Sequence, residues 1–205
     1  MAAGKKRRQW LQQHLDDPYV KMAQVDGYRS RAVYKLKELD ERDQLIKPRM
    51  SVIDLGAAPG GWTQYALRKL GNSGKVLAVD ILPMEPIPGA HIIEGDFTEQ
   101  ATLDQMLTVL ESAPVQLVIS DMAPNISGVK TVDQARAMYL AELALDLACN
   151  VLEPKGAFLV KVFMGDGFDA FIKLVRERFS RVNVRKPQAS RAKSRENYIV
   201  AKGLK

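Results

Sequence analysis

Met50-Ser51-Val52-Ile53-Asp54-Leu55-Gly56-Ala57-Ala58-Pro59-Gly60-Gly61-Trp62 is the stretch of this 205-residue chain that decides the fold. Ser51 to Leu55 reads as a short buried strand, followed by a tight glycine-rich turn and a helix running to about Leu70. The small residues from Gly56 to Gly61 let backbone come close to a bound ligand, and the helix start offers it N–H groups that have no intrahelical partner. A strand, glycine turn and helix in this layout place a ligand at the carboxyl edge of a parallel sheet. Gly56-Ala57-Ala58-Pro59-Gly60-Gly61 misses the G-x-G-x-x-G spacing of dinucleotide-binding loops.

An acid inside the strand, Asp54, with glycines after it, is closer to the S-adenosylmethionine loop of methyltransferases, although another nucleotide or a structural turn would also suit these residues. Working outward, Lys75 to Asp80 is predicted as the second strand, and Asp80 closes it 24 residues after Gly56. An acid there can accept both ribose hydroxyls of an adenosine cofactor, or can simply face water. Pro83, Pro86 and Pro88 make residues 82–89 a loop, His91 to Glu94 a short third strand. Asp96 then stands where an acid could bond an adenine amino group. Residues 99–111 are expected to form a helix with Leu103, Met106, Leu107 and Leu110 inward, and Val115 to Ser120 the fourth strand. A long helix from Val132 to Leu152 puts Met138, Leu145 and Cys149 on its inner face; Ala157 to Phe163 is the fifth strand. Gly165 to Phe179 gives a loop and helix, and Ser180 to Arg185 and Asn197 to Ala201 the last two strands. On the other side of the glycine loop, residues 5–27 read as a basic arm leading into one or two short helices. Ser30 is the expected N-cap of an amphipathic helix whose apolar face is Ala32, Val33, Leu36 and Leu39. This alternation of strands and helices argues for a doubly wound α/β sheet.

The net charge of +6 is unevenly placed: residues 1–47 carry +4, residues 48–172 carry −7 and residues 173–205 carry +9. A neutral-to-acidic body between basic ends suggests a catalytic domain whose termini form a polyanion-binding surface; the alternative is a pair of solvated basic tails. The basic start, Lys5 to Arg8, is followed by no apolar segment, so no signal peptide is expected, and no apolar run approaches the ~18 residues of a membrane helix. A single cysteine, Cys149, excludes an internal disulfide and any Cys-rich metal site and is best read as core filler. The expectation is a cytoplasmic protein of one domain, residues 1–205, with a basic helical extension over 1–47 and an α/β core over 48–205.

Lys161 is the sharpest anomaly, because it interrupts the otherwise apolar Ala157-Phe158-Leu159-Val160-Lys161-Val162-Phe163. A strand of that kind is buried on both faces, where lysine is rare unless it is paired or put to use; the bland alternative is snorkelling past the sheet edge. Asp121 leaves the carboxyl end of the neighbouring strand, ~4.8 Å away, so the two charges could pair. Lys35, from the preceding helix, could close over them. Glu196 is one of only two acids beyond residue 172, so it is either local charge compensation or a partner for a lysine.

Asp54 to Trp62, Ser120-Asp121-Met122-Ala123-Pro124-Asn125 and Val160-Lys161-Val162-Phe163 together resemble the FtsJ-type RNA 2′-O-methyltransferases. Arg29-Ser30-Arg31-Ala32 with Lys35-Leu36, and Ser190-Arg191 through Ser194-Arg195-Glu196 to Tyr198, match as well. The resemblance covers nearly the whole chain and is nearest to the FtsJ/RrmJ (RlmE-type) family of large-subunit (23S) ribosomal RNA uridine 2′-O-methyltransferases. It implies a Rossmann-like class I S-adenosylmethionine-dependent methyltransferase fold, with a mostly parallel seven-stranded sheet in the order 3-2-1-4-5-7-6. It implies S-adenosyl-L-methionine as cofactor, no metal, and a uridine of the 23S A loop in the large ribosomal subunit as target. The family's Lys-Asp-Lys-Glu tetrad falls on Lys35, Asp121, Lys161 and Glu196. Gly60, Trp62, Asp80, Asp96 and Asp121 are the expected cofactor contacts, and the protein is expected to act as a monomer, away from membranes.

The chemistry can be argued beside the resemblance. Methyl transfer from a sulfonium is an in-line displacement, so alignment supplies much of the acceleration. A ribose 2′-hydroxyl is a weak nucleophile until its proton leaves, and Lys161 is the proposed base. Desolvation and a second cation, Lys35, favour its neutral form, while Asp121 and Glu196 oppose it. A milder role, in which Lys161 and Asp121 only orient the hydroxyl, stays open. Asp121-Met122-Ala123-Pro124 is not the turn used for exocyclic amines, and Cys149 inside a helix is no C5 nucleophile. The competing readings are a non-enzymatic RNA-binding ribosome-assembly factor, or a 2′-O-methyltransferase for another RNA, tRNA or an mRNA cap. Lys5 to Arg8, Arg29, Arg31, Arg185, Lys186, Arg191, Lys193 and Arg195 are expected to grip phosphates, and Tyr19, Tyr28 and Tyr34 to stack on a base or to pack in the core.

Overall fold

The computed structural model describes residues 17–205 apart from Ser112 and Ala192. The arm Lys5 to Arg8, with Trp10, Leu11 and Leu15, lies outside the described residues. In chain order the elements are α1 (Pro18–Val25), α2 (Val33–Asp43), β1 (Ser51–Leu55), α3 (Gly61–Leu70), β2 (Lys75–Asp80), β3 (Ala90–Glu94) and α4 (Gln100–Leu110). β4 (Val115–Ser120), α5 (Lys130–Val151), β5 (Leu152–Phe163), α6 (Phe168–Arg178), β6 (Phe179–Arg185) and β7 (Glu196–Leu204) follow. The seven strands form one sheet in the order β3-β2-β1-β4-β5-β7-β6, as expected, with β7 antiparallel to both its neighbours.

Both faces of this sheet are covered, and that is why its central strands read as continuous apolar runs. One face packs Ile53, Val118, Phe158 and Ile199 against Met106 of α4, Met138 and Ala144 of α5, and Phe171 of α6. The other packs Val52, Leu117, Leu159 and Val200 against Val33 and Leu36 of α2 and Trp62 and Ala66 of α3. Helix α2 therefore belongs to the same buried layer as the helix that follows the glycine loop.

Three local expectations need correction. Helix α2 starts at Val33, not after Ser30, because the Ser30 hydroxyl accepts the Ala32 N–H at 3.1 Å and holds residues 30–32 in a turn. Leu107 is 47% exposed, since Met106 already fills the inward position on that turn of α4. Strand β5 begins at Leu152, directly after α5, with a register shift against β4 between Val115 and Leu117 that the pattern did not signal.

The charged residue most committed to the fold is Asp40, 2% exposed at the end of α2. One oxygen accepts the Leu45 and Ile46 N–H groups at 2.9 and 2.8 Å; the other accepts the Tyr65 hydroxyl at 2.9 Å and faces Lys69 at 3.5 Å. Asp40→Ala would leave three buried donors without a partner, so urea unfolding should show a loss of about 3 kcal/mol or more.

Candidate active site

The glycine loop is held from beneath by carboxylates. Asp80, at the end of β2, accepts the Ala58 N–H on one oxygen and the Leu82 N–H on the other, both at 2.9 Å. The sequence reading gave this acid a ligand role; it also ties the loop after β1 to the loop after β2. Asp54 is fully buried, accepts the Thr63 hydroxyl at 2.7 Å on one oxygen, and has no partner among the described residues for the other. Burial, and to a lesser degree the nearby Asp121 and Asp80, push its carboxyl up to about 7, against the Thr63 bond. Two glycines are required here. Gly56 has φ +74° and a Cβ on it would lie 2.8 Å from Met122 Cγ; Gly60 has φ +109° and a Cβ would lie 2.6 Å from Ile87 Cδ1.

Arg29 closes the same loops from outside. Its guanidinium donates to the carbonyls of Pro59 at 3.2 Å, Glu85 at 2.7 Å and Pro86 at 3.0 Å, joining the glycine loop to the proline-rich segment after β2. Arg31 pairs with Asp17 and donates to the Ala189 carbonyl, and Glu38 accepts the Gln188 and Ala189 N–H groups at 2.6 and 3.0 Å. Arg185 makes a two-bond pair with Asp43 at 2.9 and 2.8 Å. Of these three arginines, expected to grip phosphates, Arg31 and Arg185 are taken up in ion pairs, and Arg29 bonds backbone carbonyls from an exposed position. Arg191, Lys193 and Arg195 are exposed on the loop before β7. Tyr19, Tyr28 and Tyr34 cluster together at 5.5 and 6.4 Å between ring centres, with Arg31 over Tyr19 and Arg68 over Tyr28, so packing accounts for all three.

Above the carboxyl ends of β1, β2 and β4 lies a cavity of about 490 Å3, lined by Gly56, Ala58, Asp80, Asp96, Asp121 and Tyr139 among others. Asp96 uses one oxygen for the Thr98 N–H at 2.8 Å and hydroxyl at 2.7 Å, and those bonds hold its carboxyl below the usual range. Gly60 and Trp62 do not line this cavity. Gly60 caps α3, and the Trp62 indole points to the opposite layer, donating to the Ala32 carbonyl at 2.8 Å. What these two can show a ligand is backbone at the start of a helix.

At the rim of the cavity the tetrad expected from the sequence comes together as two ion pairs. Lys161 Nζ lies 3.1 Å from Asp121 Oδ1 and also donates to the Asp121 carbonyl; Lys35 Nζ lies 2.8 Å from Glu196 Oε1. All four side chains are largely enclosed, at 8, 17, 14 and 12% exposure in that order. The register explains the meeting. Ser120 of β4 stands beside Val160 of β5, so the next residue on each strand is Asp121 and Lys161; Phe163 of β5 stands beside Glu196 of β7. The Asp121 N–H continues the ladder to the Leu55 carbonyl at 3.1 Å, fixing its backbone against β1.

Tyr198 joins the two pairs, a role that sequence reasoning missed. It is fully buried, lies opposite Lys161 in the β5–β7 register, donates its hydroxyl to Asp121 Oδ1 at 2.7 Å, and carries Lys35 Nζ 5.8 Å from its ring centre. The signals available were an aromatic in a buried strand two residues after the expected Glu196, and its place at the end of a segment that resembles the family. Burial alone would raise the Asp121 carboxyl, but the ammonium groups of Lys161 and Lys35, with the bonds from Tyr198 and Lys161, outweigh it and hold it below the ordinary range. The Tyr198 hydroxyl moves well upward, through burial first and then the Asp121 and Glu196 charges, so it remains a donor. Among the described residues no three His, Cys, Asp or Glu side chains are grouped to hold a metal ion, and no helix is long and apolar enough to cross a membrane.

Residues 28–204 match the model of the FtsJ-like methyltransferase family. A protein of Marinobacter nauticus named ribosomal RNA large subunit methyltransferase E is 58% identical over 205 residues, 100% of this chain and 99% of that protein. A crystal structure described as a ribosomal RNA methyltransferase of Plasmodium falciparum superposes with a TM-score of 0.79 at 27% identity, covering 86% of this chain and 98% of the other. A second, described as a methyltransferase of Streptococcus mutans in complex with SAH, has a TM-score of 0.51 at 16% identity, over 80% of this chain and 93% of that one, a likeness of fold alone.

Asp54 gives the site a measurable pH signature. Its raised carboxyl means that the folded chain binds that proton more tightly than the unfolded chain, so this group favours folding at low pH and the advantage is lost as pH rises through about 7. Thermal melts should show the wild type losing stability between about pH 4 and 7 relative to Asp54→Asn, and running parallel to it above that. Curves parallel throughout would mean that Asp54 does not titrate there.

Proposed function

This chain belongs to the FtsJ-like methyltransferase family, and we propose that it transfers a methyl group from S-adenosyl-L-methionine to a ribose 2′-hydroxyl of ribosomal RNA. The target we infer is a uridine of the 23S A loop in the large subunit, following its relatives' name and the motif resemblance. The single observation that carries the reading is the Lys161–Asp121 pair at the cavity rim, with Lys35–Glu196 beside it. A protein that only binds RNA has no use for an ammonium group sunk into a sheet. We read residues 1–205 as one methyltransferase domain, acting as a monomer in the cytoplasm.

The cavity suits the cofactor. It has the volume of a small-molecule site, a wall at Gly56 without a side chain, and two acids, Asp80 and Asp96, at the ends of neighbouring strands. Asp80 and Asp96 would hold the adenosine portion; Asp121 and backbone at Gly60 and Trp62 would face the remainder. When bound, S-adenosyl-L-methionine supplies a methyl group on a positively charged sulfur. The rest of the chemistry falls to the chain. Lys161 has three N–H donors, and two are directed at the carboxylate and carbonyl of Asp121, which leaves one for the ribose oxygen. Asp121 Oδ1 already accepts from Tyr198 and Lys161, and its second oxygen is the acceptor for the hydroxyl proton. An acid held this low is a weak base, but the hydroxyl becomes strongly acidic only as its oxygen forms the new bond. Orientation then precedes proton loss, and Lys161 acts as the orienting group. Lys35 and Glu196 offset each other's charge and hold the Tyr198 ring in place.

Labelled cofactor offered to large subunits from cells that lack the protein should label the RNA with wild type. Lys161→Ala should lose label roughly 10²- to 10⁴-fold while keeping its RNA affinity. A pure binding protein would label nothing in either form. With Asp121 as acceptor, the rate should be flat from about pH 7 to 9, because that carboxyl is ionised throughout. A rate that climbs across the interval would make Lys161 the base instead.

A further inference from the structure

The opposite edge of the sheet carries a second cavity, of about 410 Å3, where β1, β4 and β5 begin and β7 ends. Its wall includes Lys47, Lys155, Arg181 and Lys202, with Glu153 as the acid. Glu153 makes no ion pair with these cations among the described residues. Its Oε2 accepts the Gln116 amide at 2.7 Å, and the Gln116 carbonyl oxygen is used by the Ser51 N–H at 2.8 Å. Among the described residues none of the four cations has a carboxylate oxygen within 4.0 Å. Lys202 instead donates to the backbone carbonyl of Asp43, whose carboxylate is taken by Arg185.

Lys202 is the most enclosed of the four cations, and burial is the main influence on its ammonium. Burial draws it below the ordinary lysine range; Asp43 and, more weakly, Asp40 pull the other way, and Arg181 and Lys47 add to the lowering. Lys155 adds a second sign of a site under constraint. It sits at φ +71°, a left-handed conformation costly for a residue with a Cβ, and it is an exposed part of the cavity lining. An anion bound there would supply the ion-pair partner that the four cations do not find among the described residues.

The cavity lies far from the reaction. β4 spans six residues, which at ~3.3 Å each put it about 20 Å from Asp121. Nucleotides next to the target ribose do not reach around the sheet, but a folded RNA presents other segments. We propose that this cavity is a second phosphate-binding surface, which grips a segment of the RNA substrate remote from the ribose that is methylated. The inference rests on the reading of the chain as an RNA methyltransferase. Such a contact raises affinity by making the second engagement intramolecular, and it makes binding more sensitive to salt.

The test uses the full chain with undermethylated large subunits and the double variant Lys155→Gly/Arg181→Gln, glycine being at ease where Lys155 stands. The variant should raise the KM for subunits by roughly three- to tenfold with kcat unchanged, and should lower the salt slope of RNA binding by about one for each cation removed. A KM and salt slope equal to wild type overturn the proposal. Melting temperature guards against misfolding, and if the double variant is unstable Lys155→Gly alone carries the comparison, with a slope change of about one. A wild type that transfers no methyl overturns the functional reading instead, and the salt slope, measured from RNA binding alone, still decides the cavity.

Discussion

An ammonium group drawn into a β-sheet is tolerated only where oxygen atoms replace the water it has lost, and the rim of this protein is arranged around that requirement at Lys161. The nearest oxygens belong to Asp121, which is itself a buried charge in need of donors and finds them in Lys161 and Tyr198. Tyr198 lies under Lys35, and Lys35 in turn needs Glu196. Each group answers the desolvation of another, so the four charges and the phenol form one unit. Such a unit holds its members in place with little freedom, which is what a reaction limited by alignment requires.

The cofactor side is built on different physics. There the chain uses absence of side chains at Gly56 and Gly60, and uses carboxylates to hold backbone N–H groups. Asp80 holds two loops at once, and Arg29 holds the same two loops from the solvent side through three carbonyl groups. An arginine in that position fixes the shape of the site, while its guanidinium, bonded to neutral carbonyls, keeps an exposed charge. Arg31 and Arg185 do similar work for the segment leading into β7, and so help to set where Glu196 stands.

Charge is therefore a poor guide to which basic residues meet RNA. The strongly basic C-terminal segment, residues 173–205, includes a cation consumed by the fold, Arg185, cations exposed on the loop before β7, and two, Arg181 and Lys202, at the cavity on the far edge of the sheet. Burial and pairing, not the count of lysines and arginines, separate these groups.

Much of this was legible in the sequence. The strand, glycine loop and helix around Gly56 were recognisable because steric demands on backbone are local, and the apolar runs of β4 and β5 were recognisable because burial on both faces leaves no polar positions. Lys161 could be singled out for the same reason, as a charge where the pattern allows none. The partners were not legible in that way. That Tyr198 bonds Asp121, that Arg29 and Arg31 tie loops together, that Leu107 faces outward, and that Lys47, Lys155, Arg181 and Lys202 share one cavity all depend on which helices, loops and strands come to lie side by side. Local propensity and period determine what each segment becomes. Only tertiary structure, by bringing residues distant in the chain within hydrogen-bond reach, decides which charge answers which.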